Sequence, residues 1–127
     1  MGIANNKLIA ILRIGHDTSM RGEGLSLQDA IARAGYDNLR EEFTPSELVP
    51  LLRANPELMT QWVVYSEDKR TDGGYWISEK SHEVGSLASS RQEAVKYESL
   101  EEAVANFVVR ELDFWCDETR KPWRRSW

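Results

Sequence analysis

The feature that most constrains this chain is the helix opened by Ser99–Leu100–Glu101–Glu102. This pattern is a capping box, in which the serine hydroxyl accepts an orphan amide of the first turn and a carboxylate three residues on reaches back. Behind it, Leu100, Ala103, Val104, Phe107, Val108, Leu112 and Trp115 recur at helical spacing as one apolar stripe. Glu101, Glu102, Arg110 and Asp113 fall largely off the stripe. A helix with one long apolar stripe must lay it on another element, and a sheet is the natural cover.

The chain supplies that sheet just before the helix. Tyr75–Trp76–Ile77 and Val84–Gly85–Ser86–Leu87 flank the polar turn Glu79–Lys80–Ser81–His82, a hairpin pattern, and Ala94–Val95–Lys96–Tyr97 offers a third strand. The earlier half reads as helices. From Asn6 to about Asp17, Leu8, Ile11 and Leu12 share a helical face that Gly15 is expected to end, while the isoleucine content leaves a strand open. A loop is expected over Thr18–Gly24. Ser26–Leu27–Gln28–Asp29 is a second capping box, ahead of a stripe of Leu27, Ala30, Ile31 and Ala34 that Gly35 stops. Tyr36, Leu39 and Phe43 are expected core contacts. Thr44–Pro45–Ser46–Glu47 is a third box with proline at the first helical position, Phe43 and Leu48 are placed to staple it, and Pro50 forces a short or tightened helix. Asn55–Pro56 restarts a helix. Within residues 57–66, Leu58, Met59, Trp62, Val63 and Tyr65 favour helix, whereas Val63–Val64 pulls toward strand, and both remain open. The fold expected is α+β: N-terminal helices, a small antiparallel β-meander of about three strands, and a long C-terminal amphipathic helix packed on the sheet.

A length of 127 residues suits a single domain over 1–127. No apolar run is long enough to span a membrane, and the first residues lack the basic flank and apolar stretch of a signal peptide. Cys116 is the sole cysteine, so no internal disulfide forms. A cytoplasmic location is expected. The net charge of −5 repels phosphate, so nucleic-acid binding is not expected, whereas a basic protein partner would be attracted. Residues 119–127 form a basic aromatic tail, in which RKPWRRSW sets four cations and two tryptophans with no acid. It follows a run, Glu98–Glu118, with seven acids against Arg110 alone. The tail has three readings: docking on that helix, contact with a partner or nucleic acid, or disorder.

Chemistry-bearing motifs are weak. His16 and His82 lack partners at metal-ligand spacing, Cys116 beside Trp115 reads as a buried helix residue, and His16–Asp17–Thr18–Ser19 are too close in sequence to converge on one centre. Gly73–Gly74 follows no phosphate-loop pattern. No catalytic residue, metal or cofactor is expected.

The segment Gln61–Ser78, QWVVYSEDKRTDGGYWIS, brackets a mixed-charge run with aromatics. Most such runs are solvated helix ends, here with Lys69 and Arg70 favourable near a C-terminal dipole. The functional reading is a recognition surface in which Tyr65 and Tyr75 anchor a partner while Glu67, Asp68, Lys69, Arg70 and Asp72 set its register. The exposed acids Glu101, Glu102, Asp113 and Asp117 are the second candidate surface. Residues Trp62–Trp76, with YSEDKRT and GGYW, and the later SLEEAVANFVVREL are similar to segments of small uncharacterised bacterial proteins. Compact acidic chains of this size resemble immunity proteins of bacterial toxin systems such as contact-dependent growth inhibition. That resemblance implies a non-catalytic protein that binds and neutralises a cognate toxin, expected to be basic and to include nuclease domains. The alternatives are a small enzyme or ligand-binding protein using residues 62–76, and a structural or regulatory accessory protein.

Overall fold

The computed structural model describes residues 5–18, 27–68, 73–87 and 93–120. The elements run α1 Asn5–Leu12, α2 Ile14–Asp17, α3 Leu27–Ala34, α4 Tyr36–Leu39 with a 3₁₀ turn at Arg40–Glu42, α5 Pro45–Ala54, α6 Pro56–Asp68, β1 Tyr75–Ser78, β2 Glu83–Ser86, β3 Val95–Lys96 and α7 Leu100–Arg120. The three strands form an antiparallel sheet in the order β1-β2-β3. The fold is therefore α+β, with helices before a small meander and a long helix after it. The capping serine expected at Ser26 and most of the Thr18–Gly24 loop lie outside the described residues. α7 runs on through Thr119 and Arg120, so the first two residues of the expected tail are helical, and the rest of the tail lies outside the described residues.

Helix α7 is the centre of the molecule. Ser99 caps it, accepting the Glu102 amide at 3.2 Å. The burial is wider than the single stripe expected: Ala103, Val104, Ala105, Phe107, Val108, Val109, Glu111 and Leu112 are all buried, and Arg110 is the exposed residue among them. The reason is that α7 does not simply lie across the sheet. It is enclosed by β1 and β2 on one side and by α3, α5 and α6 on others. Trp115, expected in the core, is half-buried at its edge.

The starts and stops follow backbone chemistry. Thr44 and Glu47 close the capping box of α5, with the Thr44 amide donating to Glu47 Oε2 at 2.8 Å. Pro50 sits inside α5 on its exposed side, and the helix continues only four residues beyond it, to Ala54. Asn55 then serves both neighbours: its side chain donates to Leu51 O at 2.8 Å, and its own carbonyl accepts the Leu58 amide at 3.0 Å. Gly35, at φ 70°, ends α3 in the left-handed conformation. Residues 57–66 are helical, and Leu58, Trp62 and Val63 are buried while Val64 is 42% exposed.

Gly15 does not act as expected. The chain breaks at Arg13 instead, and Gly15 lies inside α2. Its place is explained by Trp62, whose ring a Cβ at Gly15 would meet at 2.9 Å. The same indole donates from Nε1 to Leu12 O at 2.7 Å, satisfying a carbonyl at the end of α1. Trp62 is fully buried, in edge contact with Tyr65 at 5.2 Å and Phe107 at 6.1 Å. It joins α1, α2, α6 and α7 through one side chain.

In the sheet, Tyr75 pairs with Ser86, Trp76 with Gly85, Ile77 with Val84 and Ser78 with Glu83, while Val84 also pairs with Val95. Side chains alternate along a strand. Ile77 and Val84, both buried, therefore mark the face turned to α6 and α7, and Trp76 stands on the other. The turn Glu79–His82 closes with His82 at φ 57° and its amide donating to Ser78 O at 2.9 Å.

Candidate functional site

The hydrogen bonds from the segment that brackets charge with aromatics converge on one buried residue of α7. Glu111 has no exposed surface. Its Oε2 accepts the Tyr65 hydroxyl at 2.6 Å and the Trp115 indole N–H at 3.0 Å, and its Oε1 accepts the backbone amide of Tyr75 at 2.8 Å. A carboxylate can be buried at tolerable cost when several donors replace its water. Here α6, β1 and α7 each supply one. Burial, and then the Glu111 carboxylate beside it, push the Tyr65 phenol well above the usual tyrosine value. With its carboxylate closed off from solvent, Glu111 is placed to hold three elements together rather than to take a proton from a bound molecule.

Around this buried point lies a rim of aromatic side chains. Phe114 and Trp115 stand edge to face at 5.0 Å, and Gly73 packs on both, since a Cβ there would meet Phe114 at 3.0 Å. The Arg110 guanidinium lies 6.0 Å over the Tyr75 ring. Tyr75, Phe114 and Trp115 are all half-buried. Trp, Tyr and Arg are the residue types that dominate the centres of protein interfaces. Farther along the same edge of β1, Ser66 Oγ accepts the Ile77 amide at 3.1 Å. Beyond it an open groove of about 380 Å³ is bounded by Ser66, Glu67, Trp76, Ser78, Glu79 and Lys80.

The expected site residues divide. Tyr65 and Tyr75 come together on Glu111, whereas Glu67, exposed at the end of α6, borders the groove beside Trp76 instead. Asp68 closes α6, and its side chain lies outside the described residues, as do Lys69, Arg70 and Asp72 and the side chain of Asp117. The second candidate surface is not a row of free acids. Asp113 is bound into the fold, accepting the Tyr36 hydroxyl at 2.7 Å and the Arg40 Nε–H at 2.8 Å. Burial first, then that bond, raises the Tyr36 phenol. Asp113 lies two residues from Glu111, hence about 200° around the helix from it. Glu102 is half-buried at the Ser99 cap, and Glu101 is half-buried and takes Arg53 at 3.2 Å. Its own backbone amide, and then Arg53, hold the Glu101 carboxyl below the usual range. These acids are occupied at helix starts and in ion pairs, which is why they do not form one patch with Tyr75.

Glu111 was not among the expected site residues, yet it had a signal. It is four residues after Phe107 and four before Trp115, so it occupies a position on the apolar stripe itself. A carboxylate at such a position requires donors, and the nearby strand and Tyr65 are the sources. Among the described residues, no three His, Cys, Asp or Glu side chains are grouped to hold a metal ion, and no helix is long and apolar enough to cross a membrane. Cys116 is buried, with Sγ 3.7 Å from Asp37 Oδ1. Comparison with known protein families, with curated proteins and with solved structures finds no match to this chain.

Proposed function

We propose that the chain is a non-catalytic binding protein of the immunity type, which captures a basic toxin domain and neutralises it. The observation that carries the reading is the fixing of a mixed aromatic and charged surface by a buried carboxylate. Glu111 orients Trp115 through its N–H and Tyr75 through its backbone, with Arg110 over the Tyr75 ring and Glu67 exposed at the groove beside Trp76. A surface whose aromatic anchors are held before binding loses little side-chain entropy on docking. The negative net charge steers a basic partner toward it.

The direct test is co-purification of the full chain with the product of the adjacent upstream gene, followed by association rates at two salt concentrations. The reading expects a stable complex whose association slows as salt rises. It also expects Glu67→Lys to slow association further, and Tyr75→Ala to speed dissociation. If no neighbouring product is captured, the immunity reading fails. If a complex forms with rates untouched by salt and by both substitutions, the partner uses another surface.

A further inference from the structure

Trp76 stands on the sheet face turned away from α6 and α7, and its neighbour across the ladder is Gly85. The indole lies across that glycine: a Cβ at Gly85 would sit 2.5 Å from Cζ2, 2.6 Å from Cε2 and 2.8 Å from Nε1. Any side chain there would displace the ring, so the missing Cβ is what lets the indole rest on the backbone of β2. A ring seated in this way is a rigid platform rather than a loose surface residue. It forms one wall of the open groove of about 380 Å³. The two flanks of that groove come from different elements, Glu67 from the end of α6 and Glu79 from the β1–β2 turn, and both are exposed.

We infer that this groove receives an arginine side chain of the partner, its guanidinium stacked on the Trp76 indole and bonded to the carboxylates of Glu67 and Glu79. The inference rests on the reading of the chain as the binder of a basic protein. The chemistry selects arginine on three grounds. A guanidinium is planar, stacks on an aromatic face and keeps donors free at its edge for carboxylates on either side, which the compact ammonium of lysine does not do. A nucleobase also stacks on indole, but among the described residues the groove sets the carboxylates of Glu67 and Glu79 against the ammonium of Lys80, and the chain carries −5, so the attached phosphate is repelled. An apolar side chain would strip water from both carboxylates and return no bond. The volume fits a side chain with part of its backbone, at the small end of the roughly 300–1,000 Å³ of ligand sites.

The experiment uses the full chain, isotope-labelled at its indole nitrogens, with the Trp76 signal assigned by its loss in Trp76→Phe. The probe is the capped peptide Gly-Gly-Arg-Gly-Gly, with the same peptide carrying citrulline as the uncharged isostere and a hexauridylate as the nucleic-acid arm. The expected result is a saturable shift of the Trp76 indole signal by the arginine peptide at millimolar concentration, with citrulline binding weaker by about fivefold or more. Glu67→Gln with Glu79→Gln should weaken the arginine peptide by a similar factor while leaving the melting temperature unchanged, since both side chains are exposed. No saturable shift up to about 50 mM, equal affinity for citrulline, an unchanged double variant, or tighter binding of hexauridylate would each overturn the assignment. The two levels separate cleanly. Peptide binding with no captured partner leaves the groove assigned and removes the toxin reading, whereas a captured partner with no peptide binding removes the groove alone.

Discussion

Replacing Glu111 with glutamine is nearly isosteric and tests whether the buried carboxylate holds the fold around β1. The wild-type side chain accepts from Tyr65 and Trp115 at one oxygen and from Tyr75 N at the other. A glutamine offers one oxygen and one NH₂. If the NH₂ faces the Tyr75 amide, one bond is lost and two donors oppose each other. If it faces Tyr65 and Trp115, the Tyr65 hydroxyl can turn to accept from it, but the Trp115 bond is lost and its N–H is set against the NH₂. The better choice still forfeits one bond to a charged acceptor, about 1.5–3 kcal/mol, and weakens the two that remain. Against this stands relief of the cost of burying a charge, which in well-satisfied sites is largely already offset by the donors. The net expectation is a loss of about 2–3 kcal/mol. With a urea slope of roughly 1.5–2 kcal/mol/M for a domain of this size, the midpoint falls by roughly 1–2 M. The assay is urea unfolding followed by tryptophan fluorescence, repeated with Tyr65→Phe and with the double variant. The two substitutions share a partner, so their effects should fail to add by at least about 0.5 kcal/mol. A glutamine variant within about 0.5 kcal/mol of wild type would show that desolvation outweighs the bonds and that Glu111 is not the fastening residue.

Three further outcomes follow from the packing. Gly15→Ala would ordinarily strengthen a helix by about 1 kcal/mol, but the new Cβ meets the Trp62 ring at 2.9 Å, so calorimetry should show a net loss of about 1–2 kcal/mol, and a gain would refute the close approach. Phe107→Ala removes a ring with no exposed surface and should cost about 3–5 kcal/mol, whereas a loss below about 1 kcal/mol would remove it from the core. Tyr36 and Tyr65 have phenols raised above the ordinary value of 10.0 by burial and by Asp113 and Glu111 respectively, so the folded state keeps protons that the unfolded chain releases. Their contribution is present below about pH 10 and is lost as pH rises further, so unfolding free energy should fall with alkalinity there, and less steeply in Tyr65→Phe.

Much of the fold was legible because it rests on local chemistry. The boxes at Thr44 and Ser99, the proline restart at Pro56, the Gly35 stop and the hairpin turn each depend on residues a few positions apart. What was not legible depends on partners distant in sequence. Gly15 reads as a terminator until Trp62, far along the chain, is known to lie on it. Asp113 and Glu102 read as exposed acids because periodicity reports which face of a helix is polar, not what stands opposite. Arg40 and Tyr36 occupy Asp113, and a cap occupies Glu102. Glu111 is the sharpest case. Its position on the stripe was readable, but averaging over an apolar face conceals one charged member, and the donors that make it tolerable come from three elements.

The two borders of the sheet limit how a partner can engage this molecule. An exposed strand edge invites pairing with a foreign strand unless it is blocked. Along β1, the amides of Tyr75 and Ile77 point away from β2, and both are already taken, one by Glu111 and the other by Ser66. A strand added there would have to displace a buried carboxylate, opening the core contact that joins α6, β1 and α7. The opposite border is β3, two residues long and carrying Lys96, which is too short to template more than a brief ladder. Backbone pairing is therefore disfavoured at both borders. Recognition is left to side chains on either flank of β1: the rim of Tyr75, Arg110, Phe114 and Trp115, and the groove of Trp76, Glu67 and Glu79. Both flanks depend on β1 holding its register, and that register is secured by Glu111. A substitution at Glu111 should therefore weaken partner binding at both flanks together, whereas Tyr75→Ala or Glu67→Gln should each affect one.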